Sequence, residues 1–292
     1  MFDDLDNLLK HLRIESKAEE NRNKPPISSP DIVYTTDFIF SPIERIAGDS
    51  GKLLLAQNKT NPNKRYLVKH EYTDCACNEY VYTKLAEAMG YCMPDAVLFQ
   101  ISLDEDFDRF RTEYVIGERF LNVIDSDPPY AIIREQAKNW YQYFGFRALY
   151  AMTGECDGIE VLLADDSKIY RVDTTDAFPL SVHHLSFAGV NQNINGMNPY
   201  ISTKNALLSA DFDNTLYHDL CDFQFEKCLK IYRSSVRYFL EPFERIQEIS
   251  KDYIDDFLNT LCYFYPDFIG DYFKRYISGL QKQCAAYLRE KQ

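Results

Sequence analysis

The sequence is short of tryptophan, glycine, histidine and positive charge. With 1 Trp, 11 Gly and 5 His in 292 residues, it is neither a collagen-like nor a glycine-rich chain, and it has little from which to build a histidine metal centre. No apolar run approaches the roughly 20 residues of a membrane-spanning helix, and the first residues form no apolar leader, so a cytoplasmic protein without a membrane span is expected. Lys and Arg number 32 against 45 Asp and Glu, for a formal net charge of -13. Such a balance repels nucleic-acid backbones and anionic membranes, and the densest basic run, Lys59 to Lys69, is broken by Asn and Pro. No direct nucleic-acid partner is expected, whereas a basic protein partner suits the charge.

Aromatic residues are plentiful: 22 Tyr and 20 Phe imply an interior filled largely by rings. The 8 Cys show no zinc-ribbon spacing, and Cys75-Ala-Cys77 has only one intervening residue. A chain of this length needs no disulfide staples, so reduced thiols are expected.

The periodicity changes along the chain. Residues 1–24 read as an amphipathic helix on Leu5, Leu8, Leu9 and Leu12, which Pro25, Pro26, Ser28, Ser29 and Pro30 then break, making 1–30 a helical extension with its linker. From Asp31 to His70 four strand-like runs suggest a β-meander. A helix is expected from Asn78 to Met89, capped at Gly90, and then strands at Ala96 to Ser102 and Arg111 to Ile116. One long aromatic helix follows from Ala131 to Met152. A hairpin, Ile159 to Ala164 and Lys168 to Val172, turns on Asp165-Asp166-Ser167. Beyond about residue 221 the pattern is helical. The expected class is α+β and bilobal: residues 31–117 form an antiparallel sheet lobe with one helix, and 118–292 a mostly helical lobe.

That order matches the division of labour in a phosphotransferase, where a sheet lobe grips the nucleotide and a helical lobe supplies catalytic and metal-binding groups. Ala47-Gly48-Asp49-Ser50-Gly51-Lys52 lies between two strands, and glycine lets backbone N–H groups approach a phosphate closely. Gly48, Ser50 and Gly51 are therefore nucleotide candidates, although an ordinary hairpin turn has the same composition. Arg65 to Lys69 is a strand ending in a lysine. Glu79, ten residues on, is its candidate counter-charge, the alternative being that both are solvated surface charges.

The run from Ala47 to Phe99, with its Gly/Ser turn, strand lysine and Asn78-Glu79-Tyr80, resembles the nucleotide-binding half of HipA-like kinases and related bacterial phosphatidylinositol-kinase-like proteins. Tyr114 to Phe120 resembles the segment joining the two lobes, where backbone groups would bind adenine. The resemblance covers about residues 40 to 180 and implies ATP and Mg²⁺ as cofactors. The family's loop of the form D-R-H-x-x-N is replaced by Thr153-Gly154-Glu155-Cys156-Asp157-Gly158-Ile159-Glu160. By alignment with the following strand, Glu160 takes the metal-binding Asn position and Glu155 the catalytic Asp position; in a remodelled loop Asp157 is the catalytic acid instead. Asp173, at the end of the hairpin in Asp173-Thr174-Thr175-Asp176, resembles the magnesium-binding aspartate. Mg²⁺ prefers hard carboxylate oxygens, so Asp173 with Glu160 or Asp157 is a chemically sensible pair.

Leu207 to Leu216 contains Asp211-Phe212-Asp213-Asn214-Thr215, which looks like the nucleophile motif of haloacid-dehalogenase-type phosphatases. That fold requires a doubly wound parallel sheet, and the residues after Asp213 read as helices. His183-His184 and Cys156 carry no further signal. The expected function is ATP- and Mg²⁺-dependent phosphotransfer, with the acceptor open among a protein Ser/Thr, a lipid and a small molecule. The alternative is a pseudokinase or nucleotide-sensing module that has lost transfer.

Overall fold

The computed structural model describes residues 29–43, 53–69, 73–100, 114–155, 158–175, 177–178, 212, 216–265 and 267–291. The leucine-patterned N-terminal segment, the turn with Gly48, Ser50 and Gly51, Asp157, Asp176, His183-His184, Asp211 and Asp213 lie outside them.

The class is α+β, as expected. Strands β1 (Ile32–Tyr34), β2 (Phe38–Pro42), β3 (Leu53–Asn58), β4 (Arg65–Lys69), β5 (Ala96–Gln100) and β6 (Tyr114–Arg119) form one sheet. Its order is β1-β5-β6-β4-β3-β2. A second sheet, in the order β7-β8-β9, comprises β7 (Val123–Ser126), β8 (Glu160–Ala164) and β9 (Ile169–Val172). Seven α-helices are described: α1 (Thr73–Ala88), α2 (Tyr130–Gln136), α3 (Gln142–Thr153), α4 (His218–Ile231), α5 (Val236–Glu248), α6 (Lys251–Phe264) and α7 (Asp267–Lys291).

Strands β2, β3 and β4 form an antiparallel meander. Its second turn is built by Asn58, whose side-chain oxygen accepts from the backbone N–H of Thr60 (3.1 Å) and of Asn61 (2.9 Å). The meander does not extend to β1, which pairs in parallel with β5 at the far edge. The reason is electrostatic as well as topological. Asp31, just before β1, accepts from Tyr80 Oη (3.0 Å) and pairs with Lys84 Nζ (2.9 Å), both on α1. These contacts hold β1 beside α1 and away from β2.

The sheet buries two different faces. On one, Val68, Val97, Phe99, Tyr66, Ala56 and Phe38 form a small ring-rich core. Leu98 and Ile116 pack into the larger cluster, which runs from α1 through α3 to α7. Residues Ala76 to Thr83 of α1 are all buried, because sheet and helices cover this helix from opposite sides. It ends as expected at Gly90, whose φ is +80°.

The long helix expected over Ala131 to Met152 is broken into α2 and α3. Ala137 is extended (φ -91°, ψ 128°), and Asn139 turns its side chain onto β9. There Asn139 Nδ2 donates to the Ile169 carbonyl (3.0 Å) and Oδ1 accepts from the Ile169 N–H (2.8 Å). The side-chain amide thus satisfies backbone groups at the edge of the second sheet, which a continuous helix would leave bare. Strand β7 went unforeseen because it is short and exposes Val123 and Ile124 at an edge.

Six cysteines among the described residues are free thiols. Burial pushes Cys221 and Cys228 up to about 12. Both should therefore resist iodoacetamide at pH 8 in the native protein and react once it is unfolded, as counted by mass spectrometry. A second expectation concerns the close approach of β5 and β6. A Cβ on Gly117 would lie 2.4 Å from a ring carbon of Phe99, itself fully buried. Gly117→Val should destabilise the fold by about 1–3 kcal/mol, read from the urea midpoint.

Candidate functional site

Lys69 ends β4 and is paired across the ladders with Leu53 of β3 and Ile116 of β6. Ile116 belongs to the core under α1, so position 69 lies in the part of the sheet that α1 covers. Glu79, on α1, is fully buried. The helix that bears Glu79 packs on β6, the strand to which β4 is paired, so one strand separates the strand lysine's element from the helix acid's.

The segment expected to join the lobes is mostly strand. Residues Tyr114–Arg119 form β6, an inner strand bonded on both sides to β4 and β5. Its backbone groups are consumed by the sheet. The connection to β7 is made by Phe120, Leu121 and Asn122, where Phe120 N–H donates to the Arg65 carbonyl (2.9 Å) and Asn122 Nδ2 to Asp165 (2.9 Å).

The β8–β9 hairpin brings the two metal candidates to one end. Glu160 opens β8 opposite Val172, the last residue of β9, and Asp173 follows immediately. Glu160 is exposed and Asp173 half-buried. Asp173 has φ +57°, a left-handed conformation that is sparsely populated for a residue with a Cβ and is tolerated best by Asp and Asn. The conformation turns the chain sharply after β9, and the residues that follow are tied to α1 and to the end of α3. Asn78 of α1 donates from Nδ2 to the Thr175 carbonyl (3.0 Å). Phe178 N–H donates to the Thr153 carbonyl at the end of α3 (2.9 Å), and its ring meets Phe273 and Tyr276 edge-on.

Glu155 is placed differently from the other acids. It is 1% exposed, and its carboxylate is paired with Arg171 Nη2. Arg171 is itself 0% exposed on β9. Its guanidinium also donates to the carbonyls of Glu160 (2.9 Å), Gly158 (3.1 Å) and Val172. A desolvated charge needs such compensation, and one planar group supplies donors in four directions. Tyr82 of α1 is buried against the pair; burial and the negative charge of Glu155 raise its pKa, which Arg171 partly offsets.

Of the residues singled out by sequence, the structure brings Glu155, Glu160 and Asp173 around one hairpin, with Glu79 on the helix tied to Thr175. Tyr82 and Arg171 carry no signal in the sequence, and Asn78 enters there only within Asn78-Glu79-Tyr80, without a role of its own. Asn78 stands beside Glu79 and was available to a reading of polar residues on the helix. Arg171 looked like an ordinary strand charge, since nothing local announces that a cation will be buried.

No protein-family model matches the chain, and no curated protein is similar to it in sequence. Among solved structures it is similar to a Helicobacter pylori proinflammatory kinase, CtkA, with 12% identity and a TM-score of 0.39 over 87% of this chain and 98% of that one. It is also similar to HipA of Shewanella oneidensis, in a complex with HipB and operator DNA, with 10% identity and a TM-score of 0.39 over 94% of this chain and 70% of that one. At this overlap the likeness assigns no chemistry to the chain.

Removing one member of a buried ion pair strands the other. Glu155→Leu should cost about 3–5 kcal/mol of stability in urea unfolding, and adding Arg171→Met should recover part of that loss. A single-variant loss below about 1 kcal/mol would contradict a buried pair.

Proposed function

We propose that the chain is an ATP- and Mg²⁺-dependent phosphotransferase of the kinase type, acting on a hydroxyl acceptor such as a protein Ser or Thr. The observation that carries this reading is the bond from Asn78 Nδ2 to the Thr175 carbonyl. It ties the helix that bears Glu79 to the turn that bears Asp173, and so supports one cleft shared by the sheet part (31–117) and the helical part (118–292).

In this reading Lys69 contacts the nucleotide phosphates, Glu79 orients it, and the Gly48-Ser50-Gly51 turn covers them. Asp173 and Glu160 would hold Mg²⁺, which when bound neutralises charge on the transferred phosphate oxygens. The donor chemistry fits: both are carboxylates at one end of a hairpin, and Mg²⁺ takes one or two such ligands, completing its shell with phosphate and water. Among the described residues no group of three or more His, Cys, Asp or Glu gathers, so an all-protein metal cage is not part of the proposal. Of the two acids offered for the acceptor hydroxyl, Glu155 is occupied by Arg171, which leaves that role to Asp157.

The same burial of Glu155 favours a second reading, a nucleotide-sensing module without transfer, because it removes one of two candidate acids. Among the described residues no helix is long and apolar enough to cross a membrane. The charge of -13 fits basic protein acceptors in the cytoplasm.

Calorimetry with Mg-ATP, paired with a transfer assay on basic Ser/Thr peptides, separates the readings. The wild type should bind and transfer, and Asp173→Ala should lower transfer about a hundredfold or more. Binding without any transfer favours the sensing module. An Asp173→Ala protein as active as wild type sinks the metal assignment.

A further inference from the structure

We propose that Arg171 is a positioning residue whose guanidinium locks both ends of the Glu155–Glu160 loop to the strand leading into Asp173, and thereby sets the metal affinity of the site. The inference rests on the phosphotransferase reading and extends it to a residue that touches neither nucleotide nor metal in that reading.

Four of the five guanidinium N–H groups are committed. Nη2 takes the carboxylate of Glu155 at the loop's entry and the carbonyl of Gly158 within it. Nη1 takes the carbonyl of Glu160, where the loop becomes β8, and that of Val172, the residue before Asp173. The group therefore joins the loop at its start, middle and end to the last residue of β9. Glu160 and Asp173, the two candidate metal carboxylates, are each one peptide or less from a carbonyl that it holds. A rigid planar fork thus ties together Glu160 and Val172, which the β8–β9 ladder already sets opposite each other.

The strand bearing Arg171 is anchored in turn. The backbone N–H of Arg171 donates to the Cys92 carbonyl (3.2 Å), and Tyr82 of α1 packs against the Arg171–Glu155 pair. Movement of α1 relative to β9 would thus be felt at the metal carboxylates. A lysine at position 171 would keep the charge, but its donors sit on one atom and cannot span the acceptors. The requirement is for the shape of the group as much as for its charge.

The test is the Mg²⁺ dependence of ATP affinity, measured by calorimetry and by thermal shift. In the wild type, affinity should rise as Mg²⁺ is added to an EDTA-treated sample. Arg171→Lys should keep its metal-free ATP affinity within about twofold but need about tenfold or more Mg²⁺ to reach half of the increment. The double variant Glu155→Leu/Arg171→Met replaces the ion pair with apolar side chains and provides a second, foldable background; it should show the same raised requirement. Wild-type Mg²⁺ dependence in either folded variant overturns the positioning role while leaving the phosphotransferase reading intact. A wild-type protein whose ATP binding ignores Mg²⁺, or that binds no ATP, overturns both. A general loss of packing would weaken metal-free and Mg²⁺-supported binding alike, and that pattern also counts against the proposal.

Discussion

A guanidinium with no access to water must find its acceptors inside the protein, and Arg171 imposes that condition on the centre of this molecule. Desolvating a cation is costly unless its hydrogen bonds are replaced, so the chain around it is shaped to present oxygens: one carboxylate and three carbonyls. The loop between α3 and β8 follows a course that presents Glu155, Gly158 and Glu160 to the same group. The end of the hairpin and the turn at Asp173 lie against that arrangement.

Helix α1 conveys this order to the rest of the fold. It is buried all round between Ala76 and Thr83, covered by the sheet on one side and the helical part on the other. A helix so enclosed would ordinarily be apolar throughout. This one carries Asn78, Glu79 and Thr83, each a polar group taken into the interior. Asn78 reaches the turn after β9, Tyr82 the buried ion pair, and Tyr80 and Lys84 the aspartate before β1. The helix therefore couples the edge of the large sheet, the turn after β9 and the loop behind it, and any displacement of α1 has to be accommodated at all three.

Much of the fold was legible because local signals and tertiary needs agreed. Strands β2, β3 and β4 form the meander that the strand-like runs suggested, the β8–β9 hairpin turns on Asp165-Asp166-Ser167, and α1 stops at a left-handed glycine. Legibility failed where a distant partner outweighed the local pattern. Ala131 to Met152 has helical periodicity, yet Asn139 leaves the helix to bond both backbone groups of Ile169 thirty residues away. Strand β1 reads as the first strand of a meander, yet an aspartate held by α1 carries it to the opposite edge.

The candidate site divides along the same line. Sequence alone determined the strand lysine, the acid on the following helix, the acidic loop and the aspartate at the hairpin's end, because each occupies a position defined by neighbours a few residues away. Tertiary structure alone decided that Glu155 lies inside, paired with Arg171, while Glu160 lies exposed. Burial of a charge depends on what packs over it, here α1 and the loop after α3. Neither adjoins Arg171 in the chain, so the buried ion pair left no mark in the sequence around it.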